Sequence, residues 1–207
     1  MPRIINRNPA PSRNYFLVDA CFLANKFIPK NRASNSKERK RIELCDHWWE
    51  EIDTQLKKDL ARVFVPDICI AESFKVLAKK YFKDRWFKSS QDFNYWRSQL
   101  RSTISISKTE LYKADRRIRF HDVESNRDII IAVDRFYESF FKHGKNVQLP
   151  DLIVVATAKY LIDFFDIPKD LLHIVTMDRQ LRDGSKKIPE LPNAYDPTID
   201  LRDRIFQ

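Results

Sequence analysis

Glycine is almost missing from this chain: among 207 residues only Gly144 and Gly184 occur. Walker loops and dinucleotide fingerprints need several glycines to bring backbone N–H groups against phosphate, so nucleotide-driven motors and Rossmann oxidoreductases are excluded. Cysteine is scarce too. Cys21, Cys45 and Cys69 are odd in number, widely spaced and without a Cys-x-x-Cys pair, which supports neither a disulfide framework nor a zinc site and fits a reducing, cytoplasmic setting. His47, His121, His143 and His173 show no metal-ligand spacing, and no Gly-x-Ser-x-Gly elbow occurs, so zinc and serine hydrolases lack their defining residues. Long apolar runs are absent as well. The start, Met1-Pro2-Arg3-Ile4-Ile5-Asn6-Arg7, has no signal-peptide core, and the most apolar later stretch is broken by Lys159 and Asp163; no membrane segment is expected.

Positive charge is what the chain has in surplus. Lys and Arg total 38 against 29 Asp and Glu, a formal net charge of +9. Such an excess points toward a polyanionic partner, because cations gain affinity by displacing counterions from phosphates. The length suits one α/β domain over 14–207 after an irregular, Pro- and Arg-rich arm over 1–13.

Along the chain, Tyr15-Phe16-Leu17-Val18 reads as a short buried strand. A long helix is expected from Ser36, its cap, to about Leu60, with Ile42, Cys45, Trp48, Trp49, Ile52 and Leu56 on one face. Arg62 to Val65 is the next strand, and Pro66 ends it. The helix after it offers Ile68, Ala71, Phe74, Leu77, Ala78 and Tyr81 for packing. Alternation in Thr103-Ile104-Ser105-Ile106-Ser107 suggests a further strand. Helices through Ile129 to Phe140 and from Pro150 to Leu161 precede a last clear strand, Leu172-His173-Ile174-Val175-Thr176. Strands alternating with helices predict a mostly parallel sheet covered on both faces.

Four carboxylates fall at informative places in this pattern. Asp19 and Asp178 each come just after an apolar strand, where a doubly wound sheet places its ligand crevice. An Asp there also serves as a helix cap. Glu72 interrupts an apolar helical stripe between Ile68 and Val76; a salt bridge to Lys75 or Lys79 would turn it outward instead. Asp151, in a first helical turn after Pro150, also suits the helix dipole whatever the protein does. Anionic groups gathered at one sheet edge are tolerated when a hard cation such as Mg²⁺ or Mn²⁺ sits among them.

The order of these motifs carries a resemblance. Tyr15-Phe16-Leu17-Val18-Asp19, Pro66-Asp67-Ile68-Cys69-Ile70-Ala71-Glu72, Pro150-Asp151-Leu152-Ile153-Val154-Val155-Ala156-Thr157-Ala158 and Ile174-Val175-Thr176-Met177-Asp178 together resemble the four acidic motifs of PIN-domain nucleases, in particular the VapC-type toxin ribonucleases. The resemblance implies a three-layer α/β/α fold and Mg²⁺- or Mn²⁺-dependent hydrolysis of RNA to 5′-phosphate and 3′-hydroxyl ends. It assigns Asp19, Glu72, Asp151 and Asp178 as the catalytic and metal-holding set, with Thr176 supporting the last motif. It also implies RNA, a small antitoxin protein and a second copy as partners. The position two after the first Asp, usually a small hydroxyl or amide residue, is here Cys21.

The chain is longer than compact toxins of this type, so the basic and aromatic stretch over 84–121 reads as an elaboration with its own role. Arg97, Arg101, Arg116 and Arg117, interleaved with Trp86, Phe87, Tyr95, Trp96 and Tyr112, are candidates to grip and stack single-stranded RNA; the alternative makes Trp86, Phe93 and Trp96 core. Lys37, Arg39, Lys40 and Arg41 read as a helix surface. Two other functions stay open: an RNA-binding protein with a residual acidic pocket, and a small-molecule phosphohydrolase. The latter needs a second Asp where Cys21 stands.

Overall fold

The computed structural model describes residues 13–33, 35–104, 120–199 and 205–206. The expected arm, apart from Arg13, therefore lies outside the described residues, as do Arg116, Arg117, Tyr112 and Ser105 to Ser107 of the expected strand.

Five strands form one sheet: β1 (Asn14–Val18), β2 (Ala61–Pro66), β3 (Phe120–Val123), β4 (Leu172–Val175) and β5 (Asn193–Tyr195). Their spatial order is β3-β2-β1-β4-β5, and every pairing is parallel. Phe16, Leu17 and Val18 of the central strand are wholly buried, as expected of a strand covered on both faces. β3 and β5 escaped the sequence reading because Phe-His-Asp-Val lacks an apolar run and Asn-Ala-Tyr is only three residues long.

Seven α-helices among the described residues flank the sheet in an α/β/α arrangement: α1 (Ala20–Asn25), α2 (Ser36–Lys57), α3 (Asp67–Phe82), α4 (Ser90–Ile104), α5 (Arg127–Lys142), α6 (Leu149–Phe165) and α7 (Arg179–Ser185). The buried face of α2 is the expected one, Ile42, Cys45, Trp48, Trp49, Ile52 and Leu56. Its cap is Asn35 rather than Ser36, the Asn side chain accepting from the Glu38 N–H. On α3 the buried residues are Cys69, Ser73 and Leu77, while Ala71 is exposed, a rotation relative to the expected face. Thr103 and Ile104 are the last residues of α4 rather than strand. No described helix is long and apolar enough to cross a membrane.

The chain runs outward from β1 through β2 to β3, then crosses back to β4 and β5. β1 and β4 are thus adjacent strands whose onward connections diverge. That reversal opens a crevice beyond their carboxyl ends.

Two positions report on the packing. A Cβ on Gly184 would lie 2.3 Å from Cε1 of the buried Phe140 ring. Gly184→Ala is expected to lower unfolding free energy by about 1–3 kcal/mol in chemical denaturation. His173, 6 % exposed in β4, donates through Nε2 to Asn14 Oδ1 at 3.1 Å, and its Nδ1 finds no partner among the described residues. Burial lowers its pKa to about 4, so the unfolded chain takes up the proton first as pH falls. Stability is expected to be full above roughly pH 6.5 and to fall by up to about 3 kcal/mol by pH 4; His173→Phe flattens that part of the curve in thermal melts.

Candidate active site

Asp19 stands where β1 becomes α1, and its geometry accounts for both readings of an Asp after a strand. It caps α1, Oδ1 accepting from the Phe22 N–H at 2.6 Å. Its Oδ2 accepts from the Thr176 hydroxyl at 2.7 Å and the Met177 N–H at 3.2 Å, beyond the end of β4. The same Thr176 Oγ1 accepts from the Asp178 N–H at 2.9 Å. One buried hydroxyl therefore links the first acidic motif to the last. Asp178 in turn caps α7 through Oδ1 and the Leu181 N–H at 2.7 Å, while its Oδ2 has no hydrogen bond among the described residues.

Glu72 and Asp151 reach the same cleft on helices. α3 is held against α1 by the buried Ser73, whose hydroxyl lies 2.7 Å from Cys69 O and 3.1 Å from Ala20 O. This contact sets the rotation of α3 and turns the half-buried Glu72 toward the crevice, without an ion pair to Lys75 or Lys79. Asp151 lies in the first turn of α6, and the residues after it, Leu152 to Ala158, are all buried between the neighbouring layers. The four carboxylates border one cleft of about 380 Å³, together with Cys21, Arg41, Gln148 and Met177.

Burial pushes the Asp151 pKa up to about 7, and the charges of Asp178, Asp19 and Glu72 add to the rise. Burial also raises Asp19, against the hydrogen bonds from Phe22, Thr176 and Met177 that favour its anion. The four carboxylates are all hard oxygen donors and outnumber Arg41, the one cation lining the cleft among the described residues, a surplus of negative charge that fits Mg²⁺ or Mn²⁺. As the side chains stand, no three His, Cys, Asp or Glu groups among the described residues are drawn together as a metal-holding group.

The basic segment divides. Trp86, Phe87 and Phe93 are core residues, which removes the first two as stacking platforms. Arg97 and Arg101 are exposed on α4, Arg97 over the Phe93 ring at 5.4 Å, and neither borders the cleft. Lys37, Arg39 and Lys40 are helix surface, but Arg41 is half-buried and lines the cleft. Sequence reasoning missed Arg41, Met177 and Ser73. Arg41's one advance signal was its place one residue before Ile42, at the edge of the buried face of α2.

The sign of the Asp151 shift gives a test. A carboxyl raised in the folded state stabilises fully below the ordinary carboxylate range and loses that contribution as pH rises through about 7. In metal-free buffer at pH 8, Asp151→Asn is expected to be about 1–3 kcal/mol more stable than the parent, discounted for partial exposure. Below about pH 4 the two denaturation curves should coincide.

No family model matches the chain, and no curated protein matches it in sequence. Solved structures do match in shape. The chain is similar to FitAcB from Neisseria gonorrhoeae, with a TM-score of 0.54 at 14 % identity over 89 % of this chain and 99 % of that one. It is similar to VapBC-1 from nontypeable Haemophilus influenzae, with a TM-score of 0.50 at 16 % identity over 89 % and 98 % of the two chains. DNA-bound VapBC from Salmonella typhimurium matches at a TM-score of 0.50 and 14 % identity, again over 89 % and 98 %. At such identities what is shared is the arrangement of elements, and the chain has the VapC-like PIN fold that its acidic motifs imply.

Proposed function

We propose that this chain is a divalent-ion-dependent endoribonuclease of the VapC toxin type, acting in the cytoplasm. The observation that carries the reading is that Asp19, Glu72, Asp151 and Asp178, from four separate segments, border one cleft at the carboxyl edge of the sheet. Mg²⁺ or Mn²⁺ held by these four would supply Lewis acidity toward a phosphodiester and an attacking water. The chain's own residues do the rest of the positioning. Thr176 orients Asp19 and the backbone before Asp178, the two helix caps fix both carboxylates in the crevice, and Glu72 and Asp151 supply further negative charge from the helices. No side-chain nucleophile is required. The net charge of +9 favours RNA over a small neutral substrate. The resemblance to toxins implies a small antitoxin as inhibitor, a basic side chain from it neutralising the acids, and a second copy as a further partner.

Purified protein should cleave single-stranded RNA with Mg²⁺ or Mn²⁺, leaving 5′-phosphate ends. Asp19→Asn and Asp151→Asn should each reduce kcat/KM by about a hundredfold or more, and Thr176→Val by about 10–100-fold, with folded circular-dichroism spectra retained. Undiminished cleavage by both folded Asp variants would overturn the reading.

A second reading, an RNA-binding protein with a residual acidic pocket, draws on Cys21 at the cleft and on Asp19, whose two oxygens are both engaged. It predicts tight RNA binding with no cleavage and no rise in melting temperature on adding Mn²⁺.

A further inference from the structure

Arg41 is the one cationic side chain lining the acidic cleft among the described residues. It projects from the second turn of α2, and its Nε donates to the Met177 sulfur at 3.1 Å. Met177 stands between Thr176 and Asp178 and also receives Asn25 Nδ2 at 3.7 Å and Cys45 Sγ at 3.8 Å. The guanidinium is thereby tied to the same strand end that carries the last acidic motif. A thioether is a weak acceptor and neutralises nothing. The carboxylate facing Arg41 most closely is Glu38 of its own helix, at 3.9 Å. Arg41 forms no ion pair with Asp19, Glu72, Asp151 or Asp178, and neither Nη makes a hydrogen bond with a described residue. A guanidinium serving only to compensate the acids would sit on one of them. Here its fork is held at Nε by the thioether and met at Nη1 only by the long ion pair to Glu38, and none of its nitrogens pairs with a carboxylate of the cleft.

A polyanionic strand entering a cleft edged by four carboxylates meets repulsion, and a fixed cation on the facing wall offsets it. A guanidinium fork suits two non-bridging phosphate oxygens, as an ammonium does not. We propose that Arg41 binds a backbone phosphate of the RNA, holding the strand in the cleft while the carboxylates face the ion. This rests on the nuclease reading and names the residue that delivers its substrate.

The test uses the full chain and a short single-stranded RNA, with Asp151→Asn present to stop turnover. Fluorescence anisotropy across a range of KCl gives affinity and salt slope. Arg41→Gln is expected to weaken binding by about tenfold and to lower the slope by about 0.7. Arg41→Lys should retain most of the slope but recover only part of the affinity. In the chain with Asp151 intact, Arg41→Gln should bind Mn²⁺ as tightly as the parent or more so by calorimetry, since removing a nearby cation favours the ion. Weaker RNA binding with Mn²⁺ affinity kept or raised supports the proposal, and does so even if the parent proves unable to cleave, in which case only the nuclease reading falls. Unchanged RNA affinity and slope in folded Arg41→Gln, while the parent still cleaves, overturns the role of Arg41 and leaves the nuclease reading standing. Loss of Mn²⁺ binding in Arg41→Gln also overturns it, since Arg41 would then be building the acidic site. A parent that binds no RNA overturns both.

Discussion

A carboxylate removed from water must be met by donors, and Asp19, 6 % exposed, is met by three. The Phe22 N–H ties it to the start of α1, and the Thr176 hydroxyl and Met177 N–H tie it to the chain beyond β4. These bonds close the junction between the two adjacent strands whose connections diverge. Without them the crevice would have no fixed floor, and Asp178, whose N–H rests on the same Thr176 hydroxyl, would lose its reference point. Neutral donors satisfy the anion without cancelling its charge. Asp19 can therefore be both a structural cap and a source of the field felt by Asp151.

The same field explains how the cleft divides its labour. Two carboxylates are anchored at strand ends, and two come in on helices whose rotation is set by packing: α3 by the Ser73 hydroxyl against Ala20 O, α6 by the unbroken burial of Leu152 to Ala158. Burial and then the charges of Asp178, Asp19 and Glu72 together raise the pKa of Asp151. Opposite the acids, Arg41 is held by the Met177 sulfur and by Glu38 of its own helix rather than by any of the four cleft carboxylates, so the cleft keeps a negative wall and a positive one side by side. That polarity suits a ligand carrying phosphate oxygens better than it suits a neutral one.

Much of this was legible in the residue order because it depends on local rules. Phe16-Leu17-Val18 and Ile174-Val175 announce central strands by continuous apolarity, and an Asp directly after such a strand falls at the crevice by chain direction alone. The buried stripe of α2 followed from its period. What stayed hidden depends on edges and on rotation. β3 and β5 flank the sheet and carry polar residues, and Thr103 and Ile104, expected to open a strand, close a helix. A turn of α3 by one residue exchanged Ala71 for Cys69 and Ser73 in its buried face, a difference that apolar period alone does not register because Ser73 is polar.

By itself the sequence determined the alternating α/β pattern, the surplus of positive charge, the absence of glycine loops and paired cysteines, and the order of four acids along the chain. These follow from side-chain chemistry and short-range periodicity. Only the tertiary structure decided that the acids share one cleft, that a threonine hydroxyl joins the first acidic motif to the last, and that one arginine of a basic run turns inward while its neighbours stay in solvent. Those facts are set by which faces pack against which, over separations of more than a hundred residues for Asp19 and Thr176, and a one-dimensional period holds no record of them.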